Sequence, residues 1–257
     1  MPHSPDELRP LVEEHLEGLE LWPALHGQAE SVRYSITVGG KRVRPVICLA
    51  TAEAAGADLE AALPAACALE LVHTFSLVHD DLPALDDDEE RRGQPSTWKQ
   101  FGEATGILAG DALVAEAFRL ATSYETTHVA RELAEATLGM IGGQYLDVTG
   151  TAPDEATLHK LKTGCLFASS VALALWVAEM PEAAQTPWRA FGDELGLLFQ
   201  IVDDILDGDG YVVTHGVDGA RHFADEAAER ARERLAAIDA DTSVLREIVD
   251  GLAVRTA

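Results

Sequence analysis

Gln200-Ile201-Val202-Asp203-Asp204-Ile205-Leu206-Asp207, inside the apolar run GLLFQIVDDILDGDG at 196–210, decides how this chain is read. On an α-helix residues 200, 203, 204 and 207 share one face, because positions three, four and seven apart are neighbours. Leu198, Phe199, Val202, Ile205 and Leu206 take the other sides, so carboxylates emerge from a segment patterned for burial. Three carboxylates crowded there repel one another and lose hydration. A hard cation relieves both costs. The competing account is a polar stripe on a surface helix, and the apolar residues on nearly every other side weigh against it.

A second cluster strengthens the metal reading. Residues 68–93, ALELVHTFSLVHDDLPALDDDEERRG, carry Asp80, Asp81, Asp86, Asp87 and Asp88, followed by Arg91 and Arg92. Here too an apolar helical stretch delivers an aspartate pair, at its C-terminal end just before Pro83. Two such pairs suggest helices that face one another across a shared metal site.

Composition bounds the rest. The 257 residues are 47% hydrophobic, enough for one large globular domain with a core. Aromatics are only 6% while alanine and leucine abound, which favours helix over sheet. The formal charge of −25, from 44 acidic and 19 basic residues, argues against nucleic acid or an anionic membrane as partner. An anionic substrate then needs a local basic pocket. Cys48, Cys67 and Cys165 are odd in number and set among apolar residues, as in the core of a protein from a reducing compartment. The polar, acidic N-terminus is no signal peptide, and the apolar stretch 164–178 falls short of the ~20 residues a membrane span needs. A cytoplasmic location is expected.

Helical periodicity covers 6–20, 45–56, 63–82, 106–124, 129–147, the segment after Pro153, 187–207, 218–238 and 243–254. Residues 83–103 read as a loop, and GDGYVVTHGVDG at 208–219 as a short Gly-rich connection with a brief strand-like Tyr211–Thr214. No linker or fixed-period repeat divides the chain. The expected fold is all-α, a single-domain helical bundle over 1–257 around a central cavity.

Cations stand beside glycine or beside the acidic motifs. Lys41, Arg42 and Arg44 follow Gly39-Gly40, where backbone N–H groups and cations together suit a phosphate. Arg91-Arg92 matches diphosphate oxygens by its forks, or simply neutralises Asp86–Glu90. Lys162-Thr163 precedes an apolar run, where an exposed helix lysine is an equal reading. His73 lies seven residues before Asp80, on the same helix face, where a buried core histidine is as good an account as a ligand. His79-Asp80 raises a rival, a helical metal-dependent phosphohydrolase, but the remaining histidines are scattered without acidic partners.

GGKRVRP at 39–45, LELVHTFSLVHDDLPALDDDEERRG at 69–93, FGEATGILAGDAL at 101–113, GGQYLDV at 142–148, KTG at 162–164 and GLLFQIVDDILDGDG at 196–210 resemble the short-chain trans-isoprenyl diphosphate synthases, in the family's order and spacing. The resemblance implies an isoprenoid-synthase-like homodimer that condenses isopentenyl diphosphate with an allylic diphosphate, giving farnesyl diphosphate or a product of similar length. It implies Mg²⁺, about three ions per active site, held by Asp80, Asp81 and Asp86 and by Asp203, Asp204 and Asp207. Gly40, Lys41, Arg44, His73 and Arg92 match positions around isopentenyl diphosphate. Arg91, Lys162, Thr163 and Gln200 match those around the allylic diphosphate, with Lys162 joining the aspartates as a catalytic group. Phe75 and Ser76, five and four residues before Asp80, match positions that set product length.

The chain departs from that pattern after the second motif. The segment is short and no lysine follows Lys162, so Arg221 is the weak candidate for a substitute cation. This admits a second class, a low-activity or regulatory subunit of a heteromeric synthase, although the six aspartates argue for a working site. A third class, a class I terpene cyclase, would lack the paired motifs and the Gly-Gly-Lys-Arg element.

Overall fold

The computed structural model describes residues 2–256, almost entirely in helices. In chain order they are α1 (Pro5–Glu17), α2 (Gln28–Thr37), α3 (Val43–Ala54), α4 (Leu59–Asp80), α5 (Thr97–Phe101), α6 (Glu103–Ala121), α7 (His128–Thr149), α8 (Glu155–His159), α9 (Cys165–Val177), α10 (Thr186–Asp207), α11 (Gly210–Ala236) and α12 (Ser243–Ala253). Local signals set their ends. Ser4 and Glu7 form a capping box before α1, the Asp58 carboxylate accepts the Glu60 N–H at the start of α4, and left-handed Gly208 closes α10.

Two helices are apolar on all sides and form the centre. α4 packs against α3, α6 and α9, while α9 also meets α7 and α10. Leu69, Leu71, Val72, Leu166, Phe167 and Leu173 are wholly buried there. Burying such helices all round leaves only their ends and one flank for chemistry.

Several expectations need correction. Residues 208–219 are not a loop: the reversal is only Gly208-Asp209, α11 starts at Gly210, and Tyr211–Thr214 is helical rather than strand. The glycines that read as a connection mark a single bend at Gly216, whose φ of 73° breaks the helix locally. The 83–103 segment contains α5 and a two-residue antiparallel ladder, β1 (Glu90–Arg91) with β2 (Gln94–Pro95). No sequence signal singled out α2. The apolar run near 164–178 also extends further than its composition indicates, because a π-helical turn, Lys160–Gly164, fuses α8 to α9. By length and composition both 59–80 and 156–177 could cross a membrane, yet 67% and 50% of their most apolar windows are buried inside the bundle.

Candidate active site

The end of α4 presents its two aspartates in opposite directions. Asp80 accepts a hydrogen bond from Gln144 Nε2 of α7 at 2.9 Å and lines a cavity. Burial raises its carboxyl to about 6, with Asp86 and Asp81 adding to the rise against Lys162 and Arg91. Asp81 turns away, 2% exposed, into a fork from Arg91 whose Nε donates at 2.7 and 3.0 Å. Asp86 is exposed on the turn that follows, its N–H donating to the Asp80 carbonyl at 2.8 Å.

The second motif divides the same way. Asp203 lines the cavity that Asp80 lines, and burial raises its carboxyl, with Asp207 adding while Arg255 and Arg44 oppose. Asp204 is 2% exposed and points elsewhere. It accepts from Gln200 Nε2 at 2.6 Å and from the Tyr211 N–H at 2.9 Å, holding the α10–α11 reversal. Asp207 is exposed. The six aspartates are therefore not one converging set: Asp80 and Asp203 meet at a cavity, whereas Asp81 and Asp204 are bound to the protein itself. Gln200 goes with Asp204 and lines a separate cavity beside His159.

Lys162 and Thr163 reach the Asp80–Asp203 cavity from the π-turn. Such bulges recur at functional sites because they re-aim side chains. Close packing allows it: a Cβ on Gly143 would stand 2.4 Å from the Lys162 nitrogen, and one on Gly139 2.6 Å from Cys165 Sγ. Lys162 Nζ donates to Asp147 Oδ2 on α7. Below Asp80 the wall turns apolar, with Phe75, Met140 and Leu166. Phe75 is 7% exposed and its ring meets His79 edge-on at 5.7 Å. Ser76 also lines this cavity, its hydroxyl donating to the His73 carbonyl.

A second cavity adjoins the first, each about 460 Å³, and Arg44, His73, Phe199 and Asp203 belong to both. Its walls are cationic: Lys41, Arg42, Arg44, Arg92 and Arg255, with Gly40. The β1–β2 turn places two residues at positive φ, Arg92 at 55° and Gly93 at 77°, and so sends Arg91 and Arg92 different ways. Arg92 lies against Gly40, where a Cβ would be 2.6 Å from its Nη1. Gly40 permits this close approach. Arg42 is committed elsewhere, bonded to Glu70 at 2.6 Å and to the Ile36 carbonyl at 2.7 Å. Arg44 sits 4.5 Å over the Phe167 ring, and burial lowers its guanidinium to about 10. Burial, then Arg44 and Arg92, hold the His73 imidazole well below its usual range, so it is neutral.

Sequence reasoning missed Gln144, Asp147, Glu70 and Arg255. The first two lie in GGQYLDV, where the paired glycines signalled close packing but not which neighbours it served. Arg221 lines neither cavity.

Arg44 Nε and Gln144 Oε1 are buried without a hydrogen-bond partner among the described residues, at cavities carrying both signs of charge. That arrangement suits a ligand that is anionic at one end and apolar at the other. Comparison with known proteins agrees. Residues 28–217 match the profile of the polyprenyl synthetases. The chain is 35% identical over 260 residues to the farnesyl diphosphate synthase of Bacillus subtilis, covering 88% of each. It is 40% identical to the chloroplastic geranylgeranyl pyrophosphate synthase of Catharanthus roseus, over 82% of this chain and 68% of that one. The crystal structure of geranyltranstransferase from Thermotoga maritima superposes with a TM-score of 0.85, at 30% identity and 99% coverage of both. With both aspartate pairs, and Lys41, Arg44 and Arg92 of the cationic cavity, inside the matched region, the chain belongs to the polyprenyl synthetase family.

Proposed function

We propose that the two adjoining cavities hold the two substrates of a short-chain prenyltransferase: an allylic diphosphate between Asp80 and Asp203, and isopentenyl diphosphate among Lys41, Arg44 and Arg92. The observation that carries this reading is that Asp80 and Asp203, 123 positions apart in sequence, line one cavity whose other end is apolar. Farnesyl diphosphate, or a product close to it in length, fits a cavity floored by the buried Phe75 ring.

The donor set suits Mg²⁺. Asp80 and Asp203 are hard oxygen donors whose raised carboxyls mark negative charge in want of a counter-ion. Among the described residues no three His, Cys, Asp or Glu side chains gather into a closed site. Mg²⁺ fits that openness, since it is commonly held by one or two carboxylates together with substrate phosphates and water. Asp80 and Asp203, with Asp86 and Asp207 at the rim, would hold it; Asp81 and Asp204 support the site by fixing Arg91 and the α10–α11 reversal. When bound, the ions neutralise charge on the departing diphosphate.

The chain's own groups supply the rest. Lys162 stands where charge builds as diphosphate leaves, and apolar walls exclude water from the allylic cation. Neutral His73 donates or accepts a hydrogen bond at the shared wall without adding charge. In this reading the departing diphosphate is the proton acceptor.

We infer a homodimer working in the cytoplasm. Ile107, Leu108, Leu138, Ile141, Tyr145 and Val148 form an exposed apolar face on α6 and α7, and the last three also line the substrate cavity. A second copy on this face would close the cavity wall. Burial pushes the Cys48 thiol up to about 12, an unreactive state suited to a reducing compartment. The reading as a subunit that needs a different partner is not favoured, because relatives matched over most of the chain include a farnesyl diphosphate synthase and a geranyltranstransferase.

The purified protein, with Mg²⁺ and labelled isopentenyl diphosphate, is expected to elongate dimethylallyl or geranyl diphosphate unaided. No product with any allylic primer would overturn the reading.

A further inference from the structure

Ser96 stands at the cap position before α5, yet its hydroxyl caps nothing. The residue is 2% exposed, and its Oγ has no hydrogen-bond partner among the described residues. The backbone around it is pinned. Its N–H donates to the Glu89 carbonyl at 2.9 Å, and its carbonyl accepts from the Gln100 N–H at 3.0 Å. A buried hydroxyl left unmet costs about 1–3 kcal/mol, so a partner from outside the chain is expected.

Ser96 lines a cavity of about 30 Å³ walled by the end of α2, by α4 and by the β1–β2 turn. A water needs roughly 10–15 Å³ of such space, so one or two waters fit and no substrate does. Most polar atoms of the wall are already used. Asp81 holds Arg91, Thr74 Oγ1 donates to the Glu70 carbonyl at 2.8 Å, and Ser35 Oγ pairs with Thr97 Oγ1 at 2.9 Å. Three groups are left beside this space. Ser96 Oγ is one. Glu70 gives Oε1 to Arg42, while among the described residues its Oε2 accepts nothing and the Arg92 guanidinium donates to nothing. A hydroxyl, an acceptor and a donor on one water-sized cavity are the two to four partners that an internal water takes. Arg91 and Arg92 on the wall disfavour a cation there, and Glu70 and Asp81 disfavour an anion.

We propose that an internal water held by the Ser96 hydroxyl bridges Glu70 Oε2 and the Arg92 guanidinium, which makes Ser96 a positioning residue for Arg92. The water donates to Glu70, accepts from Arg92 and shares a third hydrogen bond with Ser96. Arg92 has few other contacts to aim it. Its backbone sits at a φ of 55°, and its guanidinium lies against Gly40 without a bond.

The kinetic consequence rests on the assignment of Arg92 to isopentenyl diphosphate above, whereas the water itself does not. The first arm of the test is therefore a crystal structure of the wild type at a resolution that shows buried solvent. An ordered water within hydrogen-bond distance of Ser96 Oγ and Glu70 Oε2 is expected, and a dry cavity overturns the proposal. The second arm is kinetic. Ser96→Ala should raise the KM for isopentenyl diphosphate about three- to tenfold, the share of one hydrogen bond, with kcat and the allylic KM within about twofold. Ser96→Thr keeps the hydroxyl and should recover most of the loss. An isopentenyl KM unchanged in Ser96→Ala, or kcat and both KM values altered alike, overturns the positioning role. If the wild type condenses nothing, the prenyltransferase reading fails by itself, and the electron density still decides the water.

Discussion

Asp204 accepts the backbone N–H of Tyr211 at 2.9 Å, so a residue of the second acidic motif serves as the clasp between two helices. Its neighbour Asp203 lines the cavity instead. The two therefore fail differently when removed. Asp204→Ala is expected to destabilise the fold by about 1–3 kcal/mol, because a buried network loses its acceptor. Asp203→Ala is expected to leave the melting temperature level while lowering kcat by about 10²-fold or more. Thermal melts beside steady-state kinetics separate them; equal melting temperatures would remove the clasp role.

Asp80 offers a trade between stability and activity. Its folded carboxyl is raised to about 6 from an ordinary 3.8, so between those values the folded state binds more protons than the unfolded one. Stability is present below the ordinary value and is lost as pH rises through about 6. Asp80→Asn keeps an acceptor for Gln144 and removes that loss. Without metal at pH 7.5, Asp80→Asn should melt a few degrees higher, a gain of about 1–2 kcal/mol after solvent screening, and the gain should vanish near pH 4. Activity should nearly disappear.

His73 gives the opposite slope. Its folded value is depressed below 6.5 by burial and by the surrounding arginines. Stability is then full above about 6.5 and falls as pH drops, by up to about 1.4 kcal/mol per unit, because only the unfolded chain takes up the proton. Melting curves between pH 5 and 7.5 should show a shallower acid loss for His73→Gln than for wild type.

Phe75 should act as a floor. Phe75→Ala opens the apolar end of the cavity, and chromatography of the products is expected to show longer chains. An unchanged product distribution would assign the stop to another residue.

Gly143 tests the close approach of α7 to the π-turn. Gly143→Ala puts a Cβ 2.4 Å from the Lys162 nitrogen, so the turn must shift. The expected result is a higher allylic KM together with about 1–3 kcal/mol of destabilisation.

Much of this architecture was legible because the strongest patterns are local. Apolar residues around Asp80 and Asp203 announced buried helices, and the opposed acid-bearing helices follow from repeating that pattern twice. Which aspartate of each pair faces the cavity was not legible. Adjacent helix residues point about 100° apart, and which of the two turns to the cavity is decided by Arg91 and Tyr211, partners fixed only by tertiary packing. The same limit hid α11: Gly208, Gly210 and Gly216 read as a loop, whereas Asp204 lets the chain reverse in two residues. Arg255 was beyond local reading altogether, since nothing near it in sequence is acidic-motif or glycine-rich.

The wall common to both cavities has a consequence for anyone altering this protein. Arg44, His73, Phe199 and Asp203 each touch both compartments, so changing one retunes the two occupants together. Substitutions there should combine non-additively. Met140 and Ser76 on one side, or Lys41 on the other, each belong to a single compartment and are the positions from which selectivity can be evolved one substrate at a time.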